Sequence, residues 1–343
     1  MIRRSAGIHD RAHTHTMTKE DTFTIATGPD HAEKRLDMVV AVECACSRKL
    51  SASLIKNGDI LVDSRTVKPA HRVTPGEIIT GVIIARPEFL PVAEDIPLNI
   101  LFEDEHLLIL DKPAGMIVHP AAGNNTGTLV NALLHHYPEI AHAGDPTRPG
   151  IVHRLDRFTS GVLTVARTAE THEHLSAMFK ARAVTKTYLA LVYGHVEAPE
   201  GEIDLPIGRH PTERKKMGVT AADSNTMREA QTHWTVRKRF ADATFMELGI
   251  KTGRTHQIRV HCTAMGHPVV GDALYTKRWI RKRCHFSGRA AFDHLRAAPR
   301  QMLHAWRLAF NHPVSGAHLV VSTPLATDFR SLLAALGRNG RSY

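Results

Sequence analysis

The stretch Ile151-Val152-His153-Arg154-Leu155-Asp156-Arg157-Phe158-Thr159-Ser160-Gly161 sets a single carboxylate between two arginines. It follows the turn signal Pro149-Gly150 and precedes the apolar run Val162-Leu163-Thr164-Val165-Ala166. A turn, a charged cluster and then a buried strand is how a scaffold presents one reactive side chain. Such a carboxylate can attack a carbon or take a proton. It can equally pair with Arg154 or Arg157 on the surface, as most ion pairs do.

Other chemistries lack their residues. His153, His256 and His304 come without a His-Glu-x-x-His or Cys-x-x-Cys partner, so no metal site is expected. Cys44, Cys46, Cys262 and Cys284 have neither zinc spacing nor a disulfide framework, and read as free thiols in a reducing cytoplasm. Gly123 and Gly127 are not followed by Gly-Lys-Ser/Thr, which argues against a nucleotide cofactor. No Gly-x-Ser-x-Gly surrounds Ser160, so a hydrolase elbow is unsupported.

The elements that must position Asp156 come from periodicity and turns. With 343 residues, 43% of them hydrophobic, the chain can bury a real core and suggests two domains. Lys and Arg exceed Asp and Glu by 44 − 34 = 10, which points to a polyanionic partner. The excess gathers at Arg48–Arg72, Arg209–Lys216 and Lys277–Arg300, the last read as a basic insertion or loop facing that partner. No apolar run can span a bilayer and no secretory h-region follows Met1, so a cytoplasmic protein without a membrane contact is expected.

Residues 1–33 read as a disordered extension, with Met17 as a possible alternative start. Residues 34–86 read as a small αβ module: two helices, the second entered at Ser47 and stopped at Asn57-Gly58, then short strands. Its basic residues Arg48, Lys49, Lys56 and Lys68 suit a phosphate surface. Residues 87–97, with three prolines, read as a linker. Residues 98–336 read as a larger domain and 337–343 as a frayed tail. Hairpins without steady βαβ alternation argue for an α+β fold on a mixed, largely antiparallel sheet with flanking helices. A hairpin is expected at Ile100–Asp111, with a further short strand at Met116–Pro120. A helix entered at Thr128 runs to His136. The strand Lys186–Gly194 puts Tyr188, Ala190 and Val192 on one face. A helix capped by Thr255 carries Arg259 in its first turn.

Within the module, Arg35-Leu36-Asp37, Leu54-Ile55-Lys56-Asn57-Gly58-Asp59-Ile60-Leu61-Val62 and Pro75-Gly76-Glu77-Ile78-Ile79 resemble the S4-like RNA-binding domain. In the larger domain, His153-Arg154-Leu155-Asp156, Lys186-Thr187-Tyr188, Thr252-Gly253-Arg254-Thr255-His256-Gln257-Ile258-Arg259 and Leu303-His304-Ala305 resemble the pseudouridine synthases of the RluA family. Lys112-Pro113-Ala114-Gly115 and Gly266-His267-Pro268-Val269-Val270-Gly271-Asp272 extend the likeness, which covers about residues 34–335.

The resemblance implies a cofactor-independent isomerase, acting as a monomer on ribosomal RNA of the large subunit. A transfer RNA substrate, or a non-catalytic RNA-binding factor, are the alternatives. It implies Asp156 as the catalytic carboxylate, Arg259 as its partner and Tyr188 as the aromatic that stacks on the base. Ile258, Arg154, His153 and Arg254 would hold the substrate, with Arg154 acting on displaced RNA or a neighbouring phosphate. Arg209, Lys215 and Lys216 would join the module's basic residues on RNA. An extruded base is expected in the pocket. Whether the carboxylate attacks C1′, stabilises it or removes a neighbouring sugar proton stays open.

Overall fold

The computed structural model describes residues 20–84, 90–120, 123–213, 215–219, 226–282 and 289–339. The chain divides into two compact units, Met1–Phe89 and Leu90–Tyr343.

In the first unit, β1 (Glu20–Ala26) precedes α1 (Leu36–Glu43), α2 (Arg48–Asn57), β2 (Ile60–Val62) and β3 (Ile78–Ile84). The Ser47 side chain accepts the Leu50 N–H at the start of α2, and Gly58, left-handed at φ 85°, ends it. The strands form an antiparallel sheet in the order β1-β3-β2. β1 corrects the expectation of a disordered extension up to residue 33. Its Phe23 and Ile25, two residues apart, pack with Leu36, Val40 and Ile79, and that burial outweighs the polar residues between them. The alternative start at Met17 lies outside the described residues.

The second unit contains β4 (Ile100–Glu103), β5 (Leu107–Lys112), α3 (Leu129–His136), β6 (Ser160–Ala166), α4 (Ala169–Lys180), β7 (Thr185–Tyr193), β8 (Glu200–Asp204), β9 (Gly208–Arg209) and β10 (Met217–Gly218). Next come β11 (Gln231–Arg239), β12 (Ala243–Ile250), α5 (Gln257–Ala264), α6 (Lys277–Lys282), α7 (Arg289–Arg296), β13 (Leu303–Asn311), β14 (His318–Ser322) and α8 (Thr327–Asn339). Nine strands form one sheet, ordered β4-β5-β6-β13-β7-β12-β11-β8 with β14 beside β13. Its pairings are antiparallel except β6 with β13, so the sheet is mixed and largely antiparallel, as expected.

Period-two alternation buries both faces. Leu108, Leu110, Leu163, Val165, Tyr188, Ala190, Met246 and Leu248 pack with α3 and Ile258 of α5. On the other face, Leu107, Ile109 and Val162 meet Leu175 of α4, while Leu191 and Tyr193 meet Phe329 and Leu332 of α8.

Three other expectations change. The strand at Met116–Pro120 is only a single bridge, Ile117 with Thr128. The described end of the linker is pinned down: Asn131 donates to the Val92 carbonyl at 2.7 Å, and the Glu94 carboxylate accepts the Gly127 N–H at 3.1 Å. The basic stretch from Lys277 is not a solvated loop where it is described. It holds α6 and α7, with Leu295 buried beside Trp279 and Trp279 stacked on Tyr193. Its apolar residues were hidden among the lysines and arginines.

Gly161 is demanded by the closest approach in the sheet. It has φ 116°, and a Cβ there would collide with the Ala305 carbonyl across the parallel β6–β13 pairing. Gly161→Ala is therefore expected to cost about 3 kcal/mol or more in urea unfolding. Gly337→Ala, in α8 with open space around it, should instead stabilise by about 0.5–1 kcal/mol.

Candidate active site

Asp156 sits in the loop before β6, and three braces hold that loop. The wholly buried Lys112, at the end of β5, donates to the carbonyls of Pro113 at 2.7 Å, Met116 at 2.9 Å and Arg157 at 3.3 Å. The Arg157 guanidinium donates to the Gly115 carbonyl at 3.0 Å, and the Gly115 N–H returns a bond to the Arg157 carbonyl at 2.8 Å. Arg300, 6% exposed, donates to the Phe158 carbonyl at 3.0 Å while paired with Asp328 of α8 at 2.7 Å. Arg300 thus leaves the basic stretch expected to face a polyanion and works as an internal brace.

Opposite Asp156 stands Arg259, in the first turn of α5. Its Nη1 donates to Asp156 Oδ2 at 2.8 Å. Its Nε and Nη2 donate to the two carboxylate oxygens of the fully buried Asp272, at 2.6 and 3.0 Å. The guanidinium also lies over the Tyr275 ring, 5.1 Å from its centroid. Burial disfavours the charge on Arg259, but the bonds to Asp272, then the pull of Asp156, outweigh it and raise its pKa above the ordinary value.

Asp272 had no role assigned from sequence. The only signal was the Gly271-Asp272 turn within the quoted stretch. Its carboxylate also accepts the Leu274 N–H at 2.9 Å, so the turn itself is fixed by the group that holds Arg259.

The start of α5 differs from the expected Thr255 cap. The helix begins at Gln257, after His256 in the left-handed region at φ 58°. The preceding loop is tied down by Gln257. Its Oε1 accepts from Thr252 Oγ1 at 2.7 Å and the Arg254 N–H at 3.0 Å, while its Nε2 reaches the Gln231 carbonyl at 2.9 Å. His256 shares a 3.0 Å hydrogen bond with Tyr275, its other ring nitrogen 3.9 Å from Asp156 Oδ2.

A cavity of about 70 Å³ opens over Asp156. Arg154, Asp156, Tyr188, Arg254, Ile258 and Arg259 line it, bringing together six of the seven residues expected to be catalytic or substrate-binding. Tyr188 is 9% exposed; burial, then the charge of Asp156, raises its pKa, so the phenol is neutral. His256 and Leu303 also line the cavity and were not foreseen.

The seventh, His153, lies in an adjoining cleft. Its Nε2 accepts the Thr164 N–H at 2.9 Å and its ring stacks on Phe179 at 4.5 Å. Burial pushes its pKa down to about 3, so it is neutral. His304 is likewise internal, bonded to Ser160 Oγ at 2.9 Å.

The expected RNA-facing residues divide. Lys56 and Lys68 are exposed and line one pocket of the first unit. Arg48 instead donates to the buried Asp37 at 3.2 Å, and the Lys49 side chain lies outside the described groups. Arg209 and Lys215 are exposed, and Lys216 is paired with Glu213 at 2.7 Å. Among the described residues, Asp95, His135 and His136 are the one group close enough to share a metal ion; they are exposed and line no part of the Asp156 cavity. No helix of the described residues is long and apolar enough to cross a membrane.

Residues 106–264 match the family model for RNA pseudouridylate synthase, and residues 34–79 match that for the S4 domain. A protein of Xanthomonas campestris pv. campestris named ribosomal large subunit pseudouridine synthase D is 42% identical over 91% of this chain and 92% of its own length. The protein of that name from Pseudomonas aeruginosa is 41% identical over 90% and 94%. The structure of human RNA pseudouridylate synthase domain containing 4 is similar at TM-score 0.54 and 26% identity, over 70% of this chain and 93% of that one.

Two measurements probe the braces. Asp272→Asn leaves a buried guanidinium with one charged partner and should destabilise by about 3–5 kcal/mol in urea unfolding. For Lys112, burial and then the nearby Arg300 push the ammonium from 10.5 down to about 7, against the pull of Asp156 and Asp111. Between those values the unfolded chain holds a proton that the folded chain has released, so this group makes stability rise with pH from about 7 to 10.5. Lys112→Met should remove that slope from the unfolding free energy.

Proposed function

The chain belongs to the RNA pseudouridylate synthase family, an isomerase of uridine in RNA, and we propose that it modifies large-subunit ribosomal RNA with Asp156 as the acting carboxylate. The substrate follows the names of the relatives; the carboxylate follows from the site. Asp156 Oδ2 takes the Arg259 bond, while Oδ1 accepts no hydrogen bond from a described residue. One oxygen aims the group and the other is left for chemistry. This is the observation that carries the reading.

The isomerisation breaks the uracil N1–C1′ bond, turns the base and joins C5 to C1′. The C5 proton leaves and N1 gains one, so no oxidation state changes and no redox partner is required. Asp156 serves this by attack at C1′, by stabilising it, or by taking the neighbouring sugar proton. Each route needs a carboxylate fixed near the sugar, which Arg259, Asp272 and the Lys112 brace support. Tyr188 gives the extruded uracil a stacking face and Ile258 an apolar floor; base–aromatic stacking offsets about 1–3 kcal/mol of the cost of leaving the RNA stack.

The first unit, matching the S4 domain, supplies an RNA grip through Lys56 and Lys68. Arg154, exposed at the mouth of the pocket, is placed to meet displaced RNA. We infer action as a monomer in the cytoplasm, consistent with free thiols at Cys46 and Cys262.

Release of tritium from 5-tritiated uridine in large-subunit transcripts tests the reading. The intact chain should release it, and Asp156→Asn should lower the rate about a thousandfold or more. Equal rates would remove Asp156 from the chemistry. Release from transfer RNA but not from ribosomal transcripts would change the substrate.

A further inference from the structure

Beside the Asp156 cavity lies a larger cleft of about 480 Å³, and the two share Arg154, Tyr188, Ile250, Gly253 and Arg254. Six of the residues lining the cleft are Lys or Arg and none is Asp or Glu. Its least ordinary member is Lys186, on β7.

Lys186 is only 7% exposed and its strand pairs with Ile250 and Leu308, yet its side-chain amine has no ion pair or hydrogen bond with a described residue. Its Nζ lies 5.8 Å from the Phe179 ring centroid, a weak cation–π contact that does not replace an anion. Burial, then the charge of Arg182, lowers its pKa. The stem is buried while Nζ is not closed off from the cleft, and a partly desolvated ammonium without a counter-charge favours a ligand that brings one.

The other cations of the cleft are differently placed. Arg182 is paired with Glu229 at 3.0 Å, and Lys251 stands 3.9 Å from Glu202; both pairs are exposed. Lys186 is the buried cation of the group. It shares a sheet face with Tyr188, two residues away, or about 6.5 Å along the strand. A nucleoside resting on Tyr188 would carry its adjoining sugar–phosphate toward this cleft.

We propose that the cleft is a subsite for the RNA phosphate next to the target uridine, with Lys186 as its buried contact. The inference rests on Tyr188 facing the target base, as in the proposed function. The His153–Phe179 stack forms an apolar wall behind the amine, and Arg154 spans the boundary between the two pockets. The same subsite gives a reason for a lysine two positions before the tyrosine.

The test uses a synthetic RNA hairpin that the intact chain converts, made with single neutral methylphosphonate linkages around the uridine. One linkage adjoining that uridine should raise KM about tenfold for the intact chain with little change in kcat. Lys186→Met should raise KM by a similar factor on the unmodified hairpin, and the neutral linkage should then add nothing. Lys186→Arg should keep KM within about twofold. Binding of a ribosomal transcript should also lose about one unit of salt slope in Lys186→Met.

Unfolding midpoints of both variants check that they are folded. If no single linkage affects the intact chain, or if the linkage and Lys186→Met effects multiply, the subsite does not exist. Loss by Lys186→Arg equal to that of Lys186→Met would make the residue a packing element and overturn the proposal. Failure of the intact chain to make any pseudouridine would instead strike the functional reading, while the salt slope would still report on the lysine.

Discussion

One buried guanidinium joins the parts of the site. Arg259 cannot be buried without counter-charges, and it has two, one on the Asp156 loop and one on the Gly271-Asp272 turn. The arrangement is asymmetric. Asp272 is wholly buried and spends both oxygens on Arg259 and on backbone N–H groups, whereas the Asp156 side chain keeps 22% exposure. The inner carboxylate holds the arginine, and the arginine holds the outer one at the pocket. A planar fork can serve two partners in this way; a lysine, as a point charge on a flexible stem, could not fix the angle between them.

The remaining supports serve that alignment from different directions. Lys112 and Arg300 fasten the Asp156 loop to β5 and α8, and Gln257 fastens the loop before α5 to β11. Each is a buried polar group that makes several hydrogen bonds, at least one of them to a residue far away in sequence. Groups of this kind are expensive when misplaced, so they favour one arrangement of the loops over many near-equivalent ones.

Much of the larger unit was readable because strands buried on alternating faces declare themselves. Tyr188, Ala190 and Val192 share a face as their spacing requires, and Thr128 starts α3 as its side chain allows. Asp156 and Arg259 were brought together only by the family resemblance; alone, the one reads as a surface ion pair and the other as a helix-surface arginine, and the structure joins them at 2.8 Å. What escaped were roles that exist only after folding. Asp272 looks like a turn residue, Arg300 like one more surface cation, and Phe23 and Ile25 like members of a polar tail until β3 lies beside them. His153 stands in the most recognisable stretch of the chain, yet its Nε2 is engaged by Thr164. Composition reports charge and polarity; it does not report which polar group has been drawn inside.

The position of β13 has a consequence for the order of assembly. It lies between β6 and β7, in the middle of the sheet, yet it follows every other strand of that sheet except β14 in the chain. During synthesis, β6 and β7 must wait with open edges until some hundred residues beyond β7 have emerged. Leu303 completes the cavity wall from that same strand. The strands of the first unit are all made before Ile100 and can pair early. The first unit, which matches the S4 domain, can therefore complete its sheet well before the sheet that carries the Asp156 loop is closed.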